Sequence, residues 1–246
     1  MRVPRILLPD HPLLPGPCEF EGEAVHHLGR VLRRRAGDLV ILCDGAGTAF
    51  EGVIEAIDTR RCRVHLERPC DDAVESPLEL RLGLALLRGE RMDYALQKCC
   101  ELGVTSIDLL LTDRIELRLE GKRLANRLRH FNGVLQHAVE QSGRTRLPEL
   151  TPPRQLHEWT ASLPEDATRL MLDPEGTPLT VVGDDAPRHV VLVSGPEGGF
   201  DDAEVAALAA TGFERVRLGP RVLRAETAPV VALAVLQWLH GDFRET

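Results

Sequence analysis

Val190-Val191-Leu192-Val193-Ser194-Gly195-Pro196-Glu197-Gly198-Gly199-Phe200 is the stretch on which the fold turns. Four apolar residues in succession, ended by a glycine-rich turn, read as a strand buried on both faces. Asp201 with Glu204 then has the spacing of a helix N-terminal capping box, and the helix is predicted to stop near Gly212. Strand, loop and helix in that order belong to an α/β sheet, whose ligands bind beyond the carboxyl ends of the strands. Glycines in such a loop let the backbone approach a ligand closely. The pattern is neither a dinucleotide fingerprint nor a phosphate loop: GxGxxG is absent, and no Lys-Ser or Lys-Thr follows. A nucleotide-binding oxidoreductase is thereby disfavoured. Taken alone, the loop could still be only a tight strand-to-helix turn.

A second loop of this kind lies downstream. Leu218-Gly219-Pro220-Arg221-Val222-Leu223-Arg224-Ala225-Glu226-Thr227-Ala228 follows a short strand over 215–218 and opens a final apolar helix over 227–240. Arg221 and Arg224 bring two cations to the loop. Glu226 either acts there or simply favours the positive end of the helix. Arg224 equally could be an ion-pair partner of Glu226 or Glu197.

Moving toward the N-terminus, strands are predicted over 78–87, 106–111 and 168–172. Helices are predicted over 91–102, with Gly103 as its stop, and over 122–142, where Leu124, Leu128, Phe131, Leu135 and Ala138 recur at three- and four-residue steps. Strands alternating with helices imply a mostly parallel sheet covered on both faces. Before residue 72 the grammar is different. Strand-like runs at 38–43, 50–57 and 62–66, with a turn at Asp44-Gly45-Ala46-Gly47, indicate a small β-rich domain, and 71–77 reads as a linker. Phe131, Trp159 and Trp238 are expected in the core, and His26 and His27 in packing or turns.

The 246 residues include 43% hydrophobic and 28% charged side chains, with no apolar run of membrane-spanning length. The first ten residues lack a signal-length apolar core, so a cytoplasmic location is expected. None of the six cysteines forms a CxxC pair or a zinc spacing with histidine, and no metal is expected. The net charge of −8 opposes nucleic-acid binding, except that arginines cluster locally in Arg30-Val31-Leu32-Arg33-Arg34-Arg35. That run is either a phosphate-tracking patch or a solvated face.

The two loops, in this order and before a terminal helix, resemble the SPOUT methyltransferases. Within them the chain is similar to the RsmE family, which methylates N3 of a uridine in small-subunit (16S) ribosomal RNA. The likeness extends through His26-His27-Leu28, Gly37-Asp38 and Asp44-Gly45-Ala46-Gly47, which match a PUA-like β-barrel. Arg91-Met92-Asp93, Gln97-Lys98 and Glu101-Leu102-Gly103-Val104 match the first catalytic-domain helix, and Glu140-Gln141-Ser142-Gly143-Arg144 a central motif. The sequence departs from the family at Thr112-Asp113-Arg114-Ile115-Glu116, where only Arg114 keeps its register.

The resemblance implies an α/β fold: a PUA-like RNA-binding domain over 1–72 and a SPOUT domain over 73–246 with a parallel sheet and a trefoil knot. It implies S-adenosylmethionine as cofactor, 16S ribosomal RNA as partner, and a homodimer. The expected cofactor-binding residues are Leu172, Ser194, Gly195, Pro196, Glu197, Gly198, Gly199, Leu218, Gly219, Val222, Leu223, Arg224, Thr227 and Ala228. Arg224, Glu226 and Glu197 are the expected catalytic groups. Arg30, Arg33, Arg34, Arg35, Arg88, Lys98, Arg114, Gln141 and Arg144 are expected to face RNA. Methylation of another RNA position and a non-catalytic RNA-binding or assembly role are the alternatives.

Overall fold

The structure, a computed structural model, describes residues 3–9, 11–70, 74–115, 121–179 and 187–244. The 72/73 boundary, part of the expected linker and Glu116 lie outside the described residues. By contacts the chain divides into two units. One comprises 1–75 with 136–147, the other 76–135 with 148–246.

The first unit is built on a five-stranded sheet of β1 (Arg5–Leu7), β2 (Gly16–Glu21), β3 (Leu39–Cys43), β4 (Ala49–Ile57) and β5 (Arg61–Pro69), in the order β1-β3-β4-β5-β2. Only β1 and β3 run parallel. In β5 the alternation of Cys62, Val64 and Leu66 with charged residues puts one face on the core and the other in water. That core joins Phe20, Val40, Leu42 and Ile54 to Val25 and Leu28. Val25 lies in α1 (Glu23–His26), and Leu28 in the π-helical turn His27–Val31 that follows it. The strands β1 and β2 and this helical stretch were not read from the sequence; short segments with little periodicity give no signal.

The second unit holds a six-stranded sheet, parallel throughout. Its strands are β6 (Glu79–Ala85), β7 (Ser106–Leu111), β8 (Glu149–Gln155), β9 (Thr168–Pro178), β10 (His189–Ser194) and β11 (Glu214–Arg217), ordered β11-β9-β10-β6-β7-β8. Its helices are α2 (Glu90–Glu101), α3 (Gly121–Ser142), α4 (Leu156–Thr160), α5 (Asp202–Ala210) and α6 (Thr227–His240). The final residues of α3 group with the first unit. Side chains of β10 alternate between faces: Val191 and Val193 join Leu208 of α5 and Trp159 of α4 in one core. On α6, which packs against α2 and β10, the buried Gln237 ties the ends of two elements. Its amide donates to Leu102 O at 2.9 Å, and its oxygen accepts from Ser76 Oγ at 2.7 Å.

Two expectations are corrected. Trp238 is not core: it is 53% exposed, with the Arg244 guanidinium 5.5 Å above its ring, whereas Trp159 and Phe131 are buried as expected. Strand β9 does not end at Leu172. Its Met171 and Thr177 pair with adjacent residues Arg215 and Val216 of β11, so 172–176 bulge out of the ladder between them. No helix among the described residues is long and apolar enough to cross a membrane.

Candidate active site

The carboxyl ends of β9, β10 and β11 surround a cleft of about 350 Å³. The β9 bulge supplies Leu172, Asp173 and Pro174. The loop after β10 supplies 194–200, and the segment after β11 supplies Leu218, Gly219, Arg221, Val222, Leu223 and Ala225. Every residue expected to hold a cofactor lines it except Arg224 and Thr227. Asp173, Phe200, Arg217 and Arg221 line it too and were not singled out as cofactor contacts. One available signal was the Asp173-Pro174-Glu175-Gly176 run, which echoes Gly195-Pro196-Glu197-Gly198 at the end of the neighbouring strand. Arg215 fixes the bulge by donating to Asp173 at 2.8 Å and to Glu175 at 3.2 Å.

The glycines answer to geometry. Gly199 has φ of 70°, a left-handed conformation costly for other residues. A Cβ on Gly195 would lie 3.2 Å from the Phe200 ring. The loop is braced from the side by Arg114, whose guanidinium donates to Gly198 O. Asp113 N in turn donates to Glu204 Oε1 at 2.9 Å, while Glu204 Oε2 accepts from Asp201 N at 3.0 Å. The capping box of α5 thus also positions the turn that carries Arg114.

The two candidate carboxylates differ in character. Burial raises the Glu197 pKa, but donation from its own N–H, from Arg88 N at 3.2 Å and from Arg91 at 3.0 Å outweighs this and holds it below the ordinary value. Glu197 is a satisfied anion and a weak base. Glu226 is 9% exposed at the start of α6, with Arg224 at 3.9 Å and Arg91 at 4.0 Å from Oε1. Its Oε2 is buried and has no hydrogen-bond partner among the described residues. Buried polar atoms normally find partners, and exceptions concentrate where ligands or chemistry act. The Arg224 side chain is 78% exposed and outside the cleft lining, while its carbonyl accepts from Thr227 N and Ala228 N.

The fold and cleft agree with comparisons to known proteins. A family model described as an RNA methyltransferase domain matches residues 74–237, and one described as an RNA methyltransferase PUA domain matches residues 20–67. The chain belongs to this RNA methyltransferase family. It is 33% identical over 220 residues to ribosomal RNA small subunit methyltransferase E of Synechocystis, covering 87% of this chain and 71% of that protein. Among solved structures it resembles ribosomal RNA small subunit methyltransferase E of Neisseria gonorrhoeae bound to S-adenosyl methionine. That likeness has a TM-score of 0.92 and 33% identity, covering 98% of this chain and 100% of the other. A Legionella pneumophila methyltransferase in complex with S-adenosylmethionine is similar at TM-score 0.90 and 34% identity, covering 99% and 100%.

In this member of the family the basic residues fall into distinct settings. Arg30, Arg33 and Arg35 are exposed, and Arg34 is half-buried. Arg30, Arg34 and Arg35 line a groove of about 470 Å³ with His26 and Asp58. Arg33 follows the π turn with φ of 52°. Gln141 is exposed, and Lys98 pairs with Glu101 at 2.8 Å. Arg144 runs against expectation. It is 3% exposed, and Glu75 accepts from its Nε at 3.0 Å and Nη2 at 2.7 Å while also accepting from the Thr145 and Arg146 amides. Its guanidinium serves the packing after α3 and is not presented to a phosphate.

Proposed function

We propose that this RNA methyltransferase transfers the methyl group of S-adenosylmethionine to N3 of a uridine in small-subunit (16S) ribosomal RNA. We further propose that it acts in the cytoplasm as a homodimer. In this reading residues 1–72 bind RNA, residues 73–246 carry the chemistry, and the trefoil knot implied by the resemblance lies at the cofactor site. The observation that carries the reading is the glycine-loop cleft at the ends of β9–β11. The likeness to two structures bound to S-adenosylmethionine supports it.

The residues fit this cofactor. Leu172, Leu218 and Leu223 offer apolar surface for an adenine, and the glycine loop offers close backbone. Bound there, S-adenosylmethionine supplies an electrophilic methyl group on a sulfonium. The chain's task is then to hold the acceptor nitrogen in line, worth at best roughly 7–11 kcal/mol of barrier lowering. Uracil N3 carries a proton at neutral pH and lies on the pairing edge, so the base must be unpaired or flipped. Glu226 takes that proton on Oε2, an acceptor with no partner among the described residues. Glu197 keeps its three donors and anchors the loop. Arg224, exposed beside Glu226, turns toward the charge developing on O2 and O4.

Single-turnover methylation of purified small subunits, with calorimetric titration of the cofactor alongside and NAD as control, tests this. Glu226→Gln should slow methylation about 100-fold or more while cofactor affinity stays. Arg224→Ala should also slow methylation without loss of cofactor. Full methylation rates in both variants would sink the assignment. Cofactor binding with no methylation by the wild type would turn the reading to a non-catalytic RNA-binding protein.

A further inference from the structure

We infer that a second pocket, which shares the 196–198 loop with the cofactor cleft, receives a backbone phosphate of the RNA at the target nucleotide. The inference rests on the proposed RNA methylation. The pocket, of about 330 Å³, shares Pro196, Glu197 and Gly198 with the cleft. Three arginines from three different elements line it: Arg88 just before α2, Arg91 in the first turn of α2, and Arg114 after β7. Glu197 is the one carboxylate in its lining among the described residues. On a chain of net charge −8 this is a local excess of positive charge beside the reaction centre.

The placement is not what stability would choose. A cation in the first turn of a helix opposes the helix dipole. Arg91 stands there on a helix whose cap, Gly89, gives no side-chain cap. Glu197 shows how an oxyanion is held at this spot. Its Oε1 accepts from the Arg88 amide and from Arg91 Nη1, the arrangement of a backbone N–H and a guanidinium that binds phosphate at helix N-termini. Arg114, which donates to Gly198 O, faces the same space from across the pocket. A planar guanidinium presents five donors, so one internal bond leaves capacity for a phosphate oxygen. Arg91 is thus a phosphate-binding residue whose nearer internal carboxylate partner, at 3.0 Å, is Glu197 on the cofactor loop, with Glu226 at 4.0 Å, so that RNA docking and the cofactor loop share one side chain.

The test is binding of a 16S ribosomal RNA fragment containing the target uridine, across a salt series, to cofactor-loaded wild type, Arg88→Gln, Arg91→Gln, Arg91→Lys and Glu197→Gln. Cofactor titration of each variant runs alongside. Arg88→Gln and Arg91→Gln should each weaken RNA binding roughly tenfold and reduce the slope of log affinity against log salt by about 0.7, one phosphate contact on a single strand. Arg91→Lys should restore the slope. Glu197→Gln, which removes the competing anion, should tighten RNA binding. Uridine 5′-monophosphate should compete for the pocket and uridine should not; equal competition by both would mean a base site and overturn the phosphate assignment. Unchanged RNA affinity and slope in the arginine variants, with a wild type that does bind and methylate, would overturn the pocket alone. Loss confined to cofactor affinity would make the arginines mere braces of the loop and would overturn it as well. A wild type that does not bind the RNA would overturn both this inference and the function on which it rests.

Discussion

Among the described residues Asp108 is the acid most thoroughly removed from water. Its carboxylate, fully buried in β7, accepts from Arg81 at 2.6 Å, Arg154 at 2.6 Å, Thr151 at 2.7 Å and Trp159 Nε1 at 2.8 Å. Burial raises its pKa, but the donors, Arg81 first, prevail and set it below the ordinary value. A carboxylate depressed in the folded state stabilises the fold above its unfolded pKa, about 3.9, and loses that contribution as pH falls through the folded value. Asp108→Asn should therefore cost about 3–5 kcal/mol at neutral pH, because two arginines lose their counter-charge. It should also flatten the fall in urea midpoint below about pH 4. At Gly199 the cost is conformational. A Cβ would meet only the Arg114 guanidinium at 4.0 Å, so Gly199→Ala should lose about 1–2 kcal/mol of stability through backbone strain, measured by denaturant unfolding. The sequence made Gly199 legible, since a glycine loop after a buried strand announces itself. Asp108 was not legible, because its partners on β6, β8 and α4 are distant in sequence.

Among elements, α5 does the most for its length. Asp201→Ala removes its N-cap and should cost about 1 kcal/mol. Glu204→Ala should add a separate effect, faster amide exchange at Asp113, because Glu204 accepts that N–H. Hydrogen exchange by NMR separates the two: if Asp201→Ala speeds Asp113 exchange equally, the Glu204 brace is not what holds the turn. Long helices were readable because α2 and α3 repeat their apolar residues at helical spacing. Strand β8 escaped notice because Pro152 and Pro153 argue against a ladder. It is tolerated because β8 is an edge, paired with β7 alone. The β9 bulge escaped notice as well, since a five-residue excursion held by Arg215 has no periodic signature.

For the whole molecule, charge sets the terms of RNA binding. With an overall negative balance, affinity must come from local arginine surfaces, so binding should fall steeply with salt. Reversing Arg33 and Arg34 to glutamate should lower both RNA affinity and the salt slope by filter binding; no change would make that run solvated surface. Sedimentation at micromolar concentration should give twice the chain mass, with the exposed Trp238 and Phe243 near the C-terminus changing environment on dilution. The α/β class and the cofactor loops were readable because buried parallel strands and glycine turns leave dense local patterns. The five-stranded sheet of the first unit was only half readable, its shortest strands being silent.

Strand β10 lies between β6 and β9, both of which precede it in the chain. On the ribosome β6 and β9 therefore emerge before the strand that must fill the gap between them, with their inner hydrogen-bonding edges open. At about 5–20 residues per second this interval is on the order of a second, long enough for a nascent chain to meet a holding chaperone or another copy of itself. A nascent chain that has emerged through β9 but not β10 would thus display an open edge on β6 and, with β11 also still to come, open edges on both sides of β9, and quality control of this enzyme should be most demanding at that stage of its synthesis.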